Sequence, residues 1–555
     1  MQDRHWHKSY VPGVPRTIDF ERTTVSEALT RTASRFPKHV AFNYLGMDIT
    51  YSEFEKMVNR FARALMDIGV SPGDKVAVCL PNIPQAFIAN YAVFRIGAVA
   101  VQNNPLYTER ELAYQLNDSD ATVIITLTLL LPRIEKIVSQ TKLKKIITCH
   151  IHSYLPFPKR QLFPYVKKAM YRKVTATDTV MVFKDVIRKY SGEPLEEKSS
   201  WTELAVLIYT GGTTGVSKGV MLSHENISIN AQQFASWFTS LKDGEERLMG
   251  TLPVFHSAGF TLSNFYIWKA FAHLIIPRPD TKPLIEMIKK DKPTFLTGVP
   301  TIFVGLLNDP EFRALDFSNV KGFFSGAAPL AADTIRDIKE LTGATMGEVY
   351  GLTETAPLVS VTPWGGEVKP GTVGVPLPDT DVKIVDMDTG EKEMPIGEEG
   401  EVAIKGPQVM MGYYKKPEET EKVLKDGWFY TGDIGKFDED GYLSIVDRKK
   451  DLIIAGGYNI YPMEIDDILF DHPKIMEACA VGVPDSYRGE TVKAFIVLKE
   501  GEDMTETEVI AYCRERLAAY KVPKRVEFIE ELPKSAVGKI LRRTLREMEE
   551  QKKSQ

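Results

Sequence analysis

Several absences narrow the class of this 555-residue chain before any motif is read. Cysteine is scarce: Cys79, Cys149, Cys479 and Cys513 lie far apart and form no C-x-x-C. That spacing excludes a disulfide frame or a zinc ribbon and predicts buried or free thiols in a reducing compartment. The nine histidines include no H-E-x-x-H, and His224-Glu225-Asn226 stops short of one. Charge of either sign is not in excess, and a formal net charge of −5 argues against nucleic acid as a partner. No window reaches the roughly 18 uninterrupted apolar residues that a membrane span needs. The best candidate, Ala86 to Val101, is broken by Asn90 and Arg95. The first residues lack the apolar core of a secretory signal, and no repeat or low-complexity tract occurs. A cytoplasmic protein of several domains with a sizeable core is expected.

What is present alternates in the manner of an α/β fold. Ser52 to Ile68 carries apolar residues at helical spacing, Lys75 to Leu80 reads as a strand, and another helix starts near Pro84. Strand–loop–helix units return from Ala205 through Val349. After Gly371 short strands and Gly/Pro turns predict a small β-rich subdomain through about Val446. A charged stretch, Asp447 to Asp451, marks a boundary. Beyond it lies a small α+β unit, with a helix opened by Pro462 and another opened by the capping box Thr505-Glu506-Thr507-Glu508.

The most informative segment is the loop that follows the apolar run Leu204–Ile208. Thr210, Gly211, Gly212, Thr213, Thr214 and Gly215 precede Lys218. Backbone N–H groups and hydroxyls of such a loop can converge on one anion, with the lysine as a point charge beside them. The spacing fails the usual P-loop pattern, because no Ser or Thr follows the lysine directly. Taken alone, the loop could equally be a flexible surface turn.

Other segments remove that option. Tyr350-Gly351-Leu352-Thr353-Glu354 offers an aromatic face, a hydroxyl and a carboxylate in one tight loop. Glu354 can serve Mg²⁺ as a hard oxygen ligand, Thr353 can bond a phosphate oxygen, and Tyr350 can stack on a purine. Asp433 and Arg448 can together grip a ribose diol, although an isolated Asp/Arg pair is often only a surface ion pair. Lys539 stands on a Gly-hinged turn, Lys534-Ser535-Ala536-Val537-Gly538-Lys539.

In this order the motifs resemble the adenylate-forming superfamily, which includes acyl-CoA synthetases, firefly luciferase and peptide-synthetase adenylation domains. The resemblance runs from about Thr24 to Arg543. Asn103 to Leu112, Gly406 to Tyr413 and Asp426 to Tyr461 look like bacterial long-chain fatty-acid–CoA ligases. The implied fold is a large multilayered α/β N-terminal domain, with two α/β subdomains and a small β-barrel-like subdomain, plus a small mobile α+β C-terminal domain. The implied divisions are residues 1–447, a hinge at 448–451, and 452–555.

The implied chemistry has two steps. A fatty acid of medium to long chain and ATP give acyl-adenylate and pyrophosphate, and the thiol of coenzyme A then displaces AMP. The resemblance assigns Thr210 to Lys218 to the departing pyrophosphate, Thr210 and Glu354 to Mg²⁺, and Gly326, Ala327, Ala328, Tyr350 and Gly351 to the adenine end. Asp433 and Arg448 would hold the ribose, and Lys539 would reach the carboxylate and α-phosphate. Lys450 would be the hinge, and Gly456, Gly457 and Tyr458 would line the coenzyme A tunnel after the small domain swings. His256 corresponds to a wall of the acyl pocket; a core histidine is a close second reading. The first step needs no general base, since a carboxylate is already ionised near neutral pH.

Gly211 and Ser217 depart from the wider pattern, where Ser and Pro are common; the glycine fits the fatty-acid subgroup, and the serine loosens the loop before Lys218. Rival readings are an aryl or cinnamate CoA ligase and a non-catalytic, membrane-docked acyl-binding protein. A peptide-synthetase domain fits less well, because Pro253-Val254-Phe255-His256 lacks an aspartate for an α-amino group. Finally, Tyr154 to Val174 interleaves Lys159, Arg160, Lys167, Lys168, Arg172 and Lys173 with bulky apolar residues. Such a stretch is either a solvated connector with its aromatics tucked inward or a peripheral contact for an anionic membrane. A homodimer is compatible with everything read so far.

Overall fold

The computed structural model describes residues 4–210, 217–328, 330–455, 458–485, 488–535 and 538–554. Two large sheets build the N-terminal domain. One has eight strands, with Leu204–Thr210, Val99–Gln102, Lys75–Cys79, Val123–Leu127, Lys145–Cys149 and Val180–Val182 in parallel. The other has nine, parallel from Thr345–Gly351 through Val40–Tyr44 and closed at each edge by antiparallel strands. Strands buried on both faces explain the continuous apolar runs in the sequence.

Between the sheets lie helices that share one core. Pro84–Arg95 is buried along its whole length, which accounts for the most apolar window of the chain. Its arginine is satisfied internally: Arg95 Nη1 meets Glu55 Oε1 at 2.7 Å and its Nε donates to Ser26 Oγ at 3.1 Å. The amphipathic helix read from Ser52 runs Tyr51–Asp67, capped by Thr50 and Glu53. Among the described residues no helix is long and apolar enough to cross a membrane.

One local expectation changes. The Gly/Thr loop does not lead straight into a helix. Lys218–Ser223 returns as a strand antiparallel to Leu204–Thr210, with Thr210 opposite Lys218, and the helix His224–Trp237 starts only after Ser223 caps it. Val220 and Leu222 are fully buried, so their period-two alternation, not the helical period, decides the element.

The β-rich subdomain is a five-stranded antiparallel sheet running from Asp381–Val385 to Leu443–Arg448. A second five-stranded sheet, Ile453–Ala455 to Arg525–Phe528, forms the small C-terminal domain with its own apolar core. The capping box at Thr505 is present and opens Glu506–Arg514.

Candidate active site

In open α/β sheets, ligands usually bind outside the C-terminal ends of the parallel strands. Tyr350 and Gly351 end the strand Thr345–Gly351, and Gly326, Ala327 and Ala328 follow the neighbouring strand Gly322–Ser325. Gly351 must be glycine, since a Cβ there would sit 1.8 Å from the Pro357 carbonyl oxygen.

The hydroxyl of Tyr350 donates to Asp433 Oδ2 at 2.8 Å, and Arg448 Nε meets Asp433 Oδ1 at 3.0 Å. The hairpin formed by Trp428–Phe437 and Leu443–Arg448 places Asp433 directly opposite Arg448. A register shift between Ile434 and Gly435 adds the residue that makes this pairing. The fifteen-residue spacing in the sequence is therefore the arithmetic of one bulged hairpin. Asp433 is raised out of solvent by the protein around it, and its charge in turn lifts the Arg448 pKa above its ordinary value. Burial pushes the Tyr350 phenol well up, so that the phenol stays a hydrogen-bond donor.

Lys218 follows the Gly/Thr loop and starts the return strand. Gly211, Gly212, Thr213, Thr214 and Gly215 lie outside the described residues. Lys218 Nζ pairs with Glu419 Oε2 at 2.9 Å and sits 4.6 Å from the centroid of the Tyr413 ring. The Tyr413 hydroxyl donates to Glu354 Oε1 at 2.9 Å. One tyrosine thus links the lysine to the carboxylate. Thr353 is buried, with Oγ1 3.0 Å from Ser257 Oγ.

Tyr413 and Glu419 are the site residues that sequence reasoning did not single out. Tyr413 closes the Gly406–Tyr413 motif, but nothing local ties it to Lys218; the pairing of Gly412–Tyr413 with the strand Lys218–Ser223 does so. Glu419 carries no local signal at all. It lies on the short helix Pro417–Val423, and only the fold brings it to the lysine.

Glu354 is desolvated, which raises its carboxyl pKa despite the hydrogen bond from Tyr413. No ion pair among the described residues uses it. A half-buried, desolvated carboxylate that forms no ion pair among the described residues fits a hard divalent cation such as Mg²⁺.

The small domain adds the last group. Burial, then the charge of Arg448, lowers the Lys539 pKa to about 8, with Asp433 acting in the opposite sense. Its turn is closed by Ser535, whose N–H donates to the Lys539 carbonyl at 2.8 Å. Gly538 has φ +74°, and a Cβ there would lie 3.2 Å from Thr301 Oγ1 of the large domain. Only glycine combines that conformation with that close approach. His256 precedes and caps the helix Ser257–Trp268 through Nδ1. Burial, with the charge of Lys539 second, lowers its pKa to about 4, so its ring is neutral.

Gly456 and Gly457 lie outside the described residues, and the backbone of Tyr458 pairs with Ala455. Lys450 is partly desolvated, which lowers its pKa, with Arg448 contributing.

Comparison with known proteins assigns the chain to a family. Residues 29–414 match the model described as AMP-binding enzyme, and 464–539 match the AMP-binding enzyme C-terminal domain. The chain is 44% identical over 553 residues to the long-chain-fatty-acid–CoA ligase of Bacillus subtilis strain 168, covering 99% of both chains. It is 39% identical over 550 residues to the protein of that name from Escherichia coli O6:H1, covering 98% of both. The ATP-bound crystal structure of MatB from Rhodopseudomonas palustris superposes with a TM-score of 0.82 at 30% identity, over 95% of this chain and 99% of that one. The apo form of MatB superposes less closely, at 0.73 over the same shares. The chain belongs to the AMP-binding enzyme family.

Proposed function

We propose that this protein is a fatty-acid–CoA ligase that forms acyl-adenylate and pyrophosphate from ATP and a medium- to long-chain fatty acid, then transfers the acyl group to coenzyme A with release of AMP. The observation that carries this reading is Lys539, held by the small domain beside Arg448, Asp433 and His256, where an acyl carboxylate and an α-phosphate would meet.

Two anions must approach each other in the first step, so fixed positive charge is worth most where negative charge gathers. Lys539 supplies that charge at the carboxylate and α-phosphate. Lys218 supplies it at the leaving pyrophosphate, the group to which the family resemblance also assigns Gly211 to Gly215. Substrate phosphates compete with Glu419 for Lys218, and the Tyr413 ring keeps the ammonium in place during the exchange. Asp433 and Arg448 hold the ribose, and Tyr350 with Gly326, Ala327, Ala328 and Gly351 frames the adenine. Thr210, Thr353 and Glu354 orient the phosphates, and Thr210 with Glu354 would hold Mg²⁺. When bound, that ion offsets phosphate charge during displacement.

For the second step the small domain, 452–555, turns against the large domain, 1–447, about 448–451. Lys449 N–H is tied to the Gly432 carbonyl at 2.9 Å, while Arg546 Nη2 meets Asp451 Oδ1 at 2.8 Å and its Nη1 reaches the Lys450 carbonyl at 3.5 Å. Anchored peptide groups on both sides leave the dihedrals of Lys450 to absorb the rotation. Gly456, Gly457 and Tyr458 then line the thiol tunnel, and His256 forms part of the acyl wall. The enzyme works in peripheral contact with an anionic membrane, the phase into which its acyl substrate partitions.

Lys539→Ala tests the assignment. Acyl-adenylate formation should be lost, while thiolysis of supplied acyl-adenylate is largely kept. Unchanged adenylation would remove Lys539 from the reaction.

A further inference from the structure

The segment that the catalytic reading leaves unused is the basic, aromatic stretch after Cys149. Its base is fixed to the large domain. Tyr44 donates to the Ile151 carbonyl at 2.8 Å, Phe163 stacks on His152 with centroids 5.1 Å apart, and Tyr171 stacks on His150 at 5.5 Å. These contacts use one face of the helix Lys159–Val166 and the turn after it.

The apolar side chains that these contacts leave out are bare. Phe157 is 80% exposed, Tyr165 74%, Val166 71%, Leu162 52% and Met170 42%. These are five of the fifteen large apolar side chains exposed on the described surface, gathered between Phe157 and Met170. Scattered singly, exposed apolar residues need no explanation; a cluster this tight marks a contact surface. Six cations, Lys159, Arg160, Lys167, Lys168, Arg172 and Lys173, surround it, all exposed, and no acidic residue occurs from Tyr154 to Thr177. No ion pair among the described residues uses any of the six. The contrast with a chain of net charge −5 makes this a local positive field.

The composition discriminates between occupants. Protein interfaces are depleted in lysine at their centres, whereas a short amphipathic helix with a Lys/Arg rim and Phe, Leu and Tyr on its outer face suits the headgroup boundary of an anionic bilayer. We propose that residues 157–173 dock the protein on an anionic lipid surface, the five apolar side chains entering the headgroup–acyl boundary and the six cations facing lipid phosphates. This deepens the membrane contact proposed above by naming the surface that makes it, and it rests on the ligase reading only for its purpose.

The test uses the full chain and sedimentation with phosphatidylcholine vesicles, with or without phosphatidylglycerol. Binding is expected only with phosphatidylglycerol and should weaken as salt rises. The variant Lys167→Gln/Lys168→Gln/Arg172→Gln/Lys173→Gln should lower partitioning at least about tenfold. The variant Leu162→Ser/Tyr165→Ser should also lower it, since apolar insertion and charge act together. Both variants change exposed side chains, so acyl-CoA formation from octanoate without vesicles should be unchanged and serves as the folding control. Equal binding to neutral vesicles, or binding unaffected by either variant, overturns the proposal. A dimer in light scattering that the Leu162→Ser/Tyr165→Ser change dissolves would assign the face to a second copy and also overturn it. Vesicle binding lost while wild-type catalysis stands refutes docking alone; catalysis absent while vesicle binding stands refutes the ligase reading alone.

Discussion

The carboxylate of Asp447, on the last strand of the large domain, accepts the N–H of Met463 at 2.9 Å, at the start of the first small-domain helix. Its other oxygen accepts the Arg448 N–H at 2.7 Å. The bond joins the strand before Lys450 to the helix after it, so the domain rotation proposed above would break it. Under that proposal it favours the arrangement in which Lys539 faces Arg448 and Asp433. Burial holds the Asp447 pKa above the usual carboxylate range, with the Arg542 charge opposing that shift.

Replacing Asp447 by Asn keeps the shape but leaves one of the two backbone N–H groups facing an amide NH₂. Losing a buried hydrogen bond of this kind costs about 1–3 kcal/mol. Adenylation, followed by pyrophosphate exchange, should slow by about tenfold or more, while thiolysis of supplied acyl-adenylate stays near wild type. Equal loss in both half-reactions would mean that Asp447 supports the fold and not the pose.

Tyr413→Phe keeps the ring beneath Lys218 and removes the hydroxyl that holds Glu354. A net hydrogen bond is worth about 0.5–1.5 kcal/mol. The apparent Mg²⁺ requirement of pyrophosphate exchange should rise roughly two- to tenfold, with little change at saturating Mg²⁺. An unchanged Mg²⁺ titration would detach Tyr413 from the metal end of the site.

Asp433→Asn removes the charge opposite Arg448. Arg448 is 37% exposed, so screening puts the effect at the low end of charged hydrogen bonds, about 1.5 kcal/mol. The KM for ATP should rise about tenfold, more than kcat falls. A drop in kcat with KM unchanged would place Asp433 in the chemical step instead of nucleotide binding.

Lys539 gives the pH dependence its sign. Its folded pKa is lowered to about 8, so the ammonium is present below that value and lost as pH rises through it. In adenylation, kcat/KM, which reports the free enzyme, should fall above about pH 8. Lys539→Arg keeps its charge to much higher pH, and the alkaline limb should move up with it. A limb that stays in place belongs to another group.

Much of this site was legible because the chemistry is local. Tyr350, Thr353 and Glu354 lie within five residues at the end of one strand, and Lys218 opens the strand after the Gly/Thr loop. Asp433 and Arg448 were readable as a pair, and the bulge at Ile434/Gly435 supplies the geometric reason. What sequence could not yield depends on distant contacts. Glu419 meets Lys218 across 201 residues, and Tyr413 meets Glu354 across 59. The strand Lys218–Ser223 was missed because a Gly/Thr loop before an apolar run leads as readily to a helix as to a hairpin. The connector after Cys149 divides between both of its readings: Phe163 and Tyr171 tuck inward, while Phe157 and Tyr165 do not.

The central claim is tested most directly by incubating the protein with ATP, Mg²⁺ and coenzyme A across acids from acetate to octadecanoate and the cinnamates, reading products by mass spectrometry. The account predicts acyl-CoA peaking among the medium- to long-chain fatty acids, with AMP and pyrophosphate formed in equal amounts. A peak among cinnamates, or pyrophosphate released without any acyl-CoA, would contradict it.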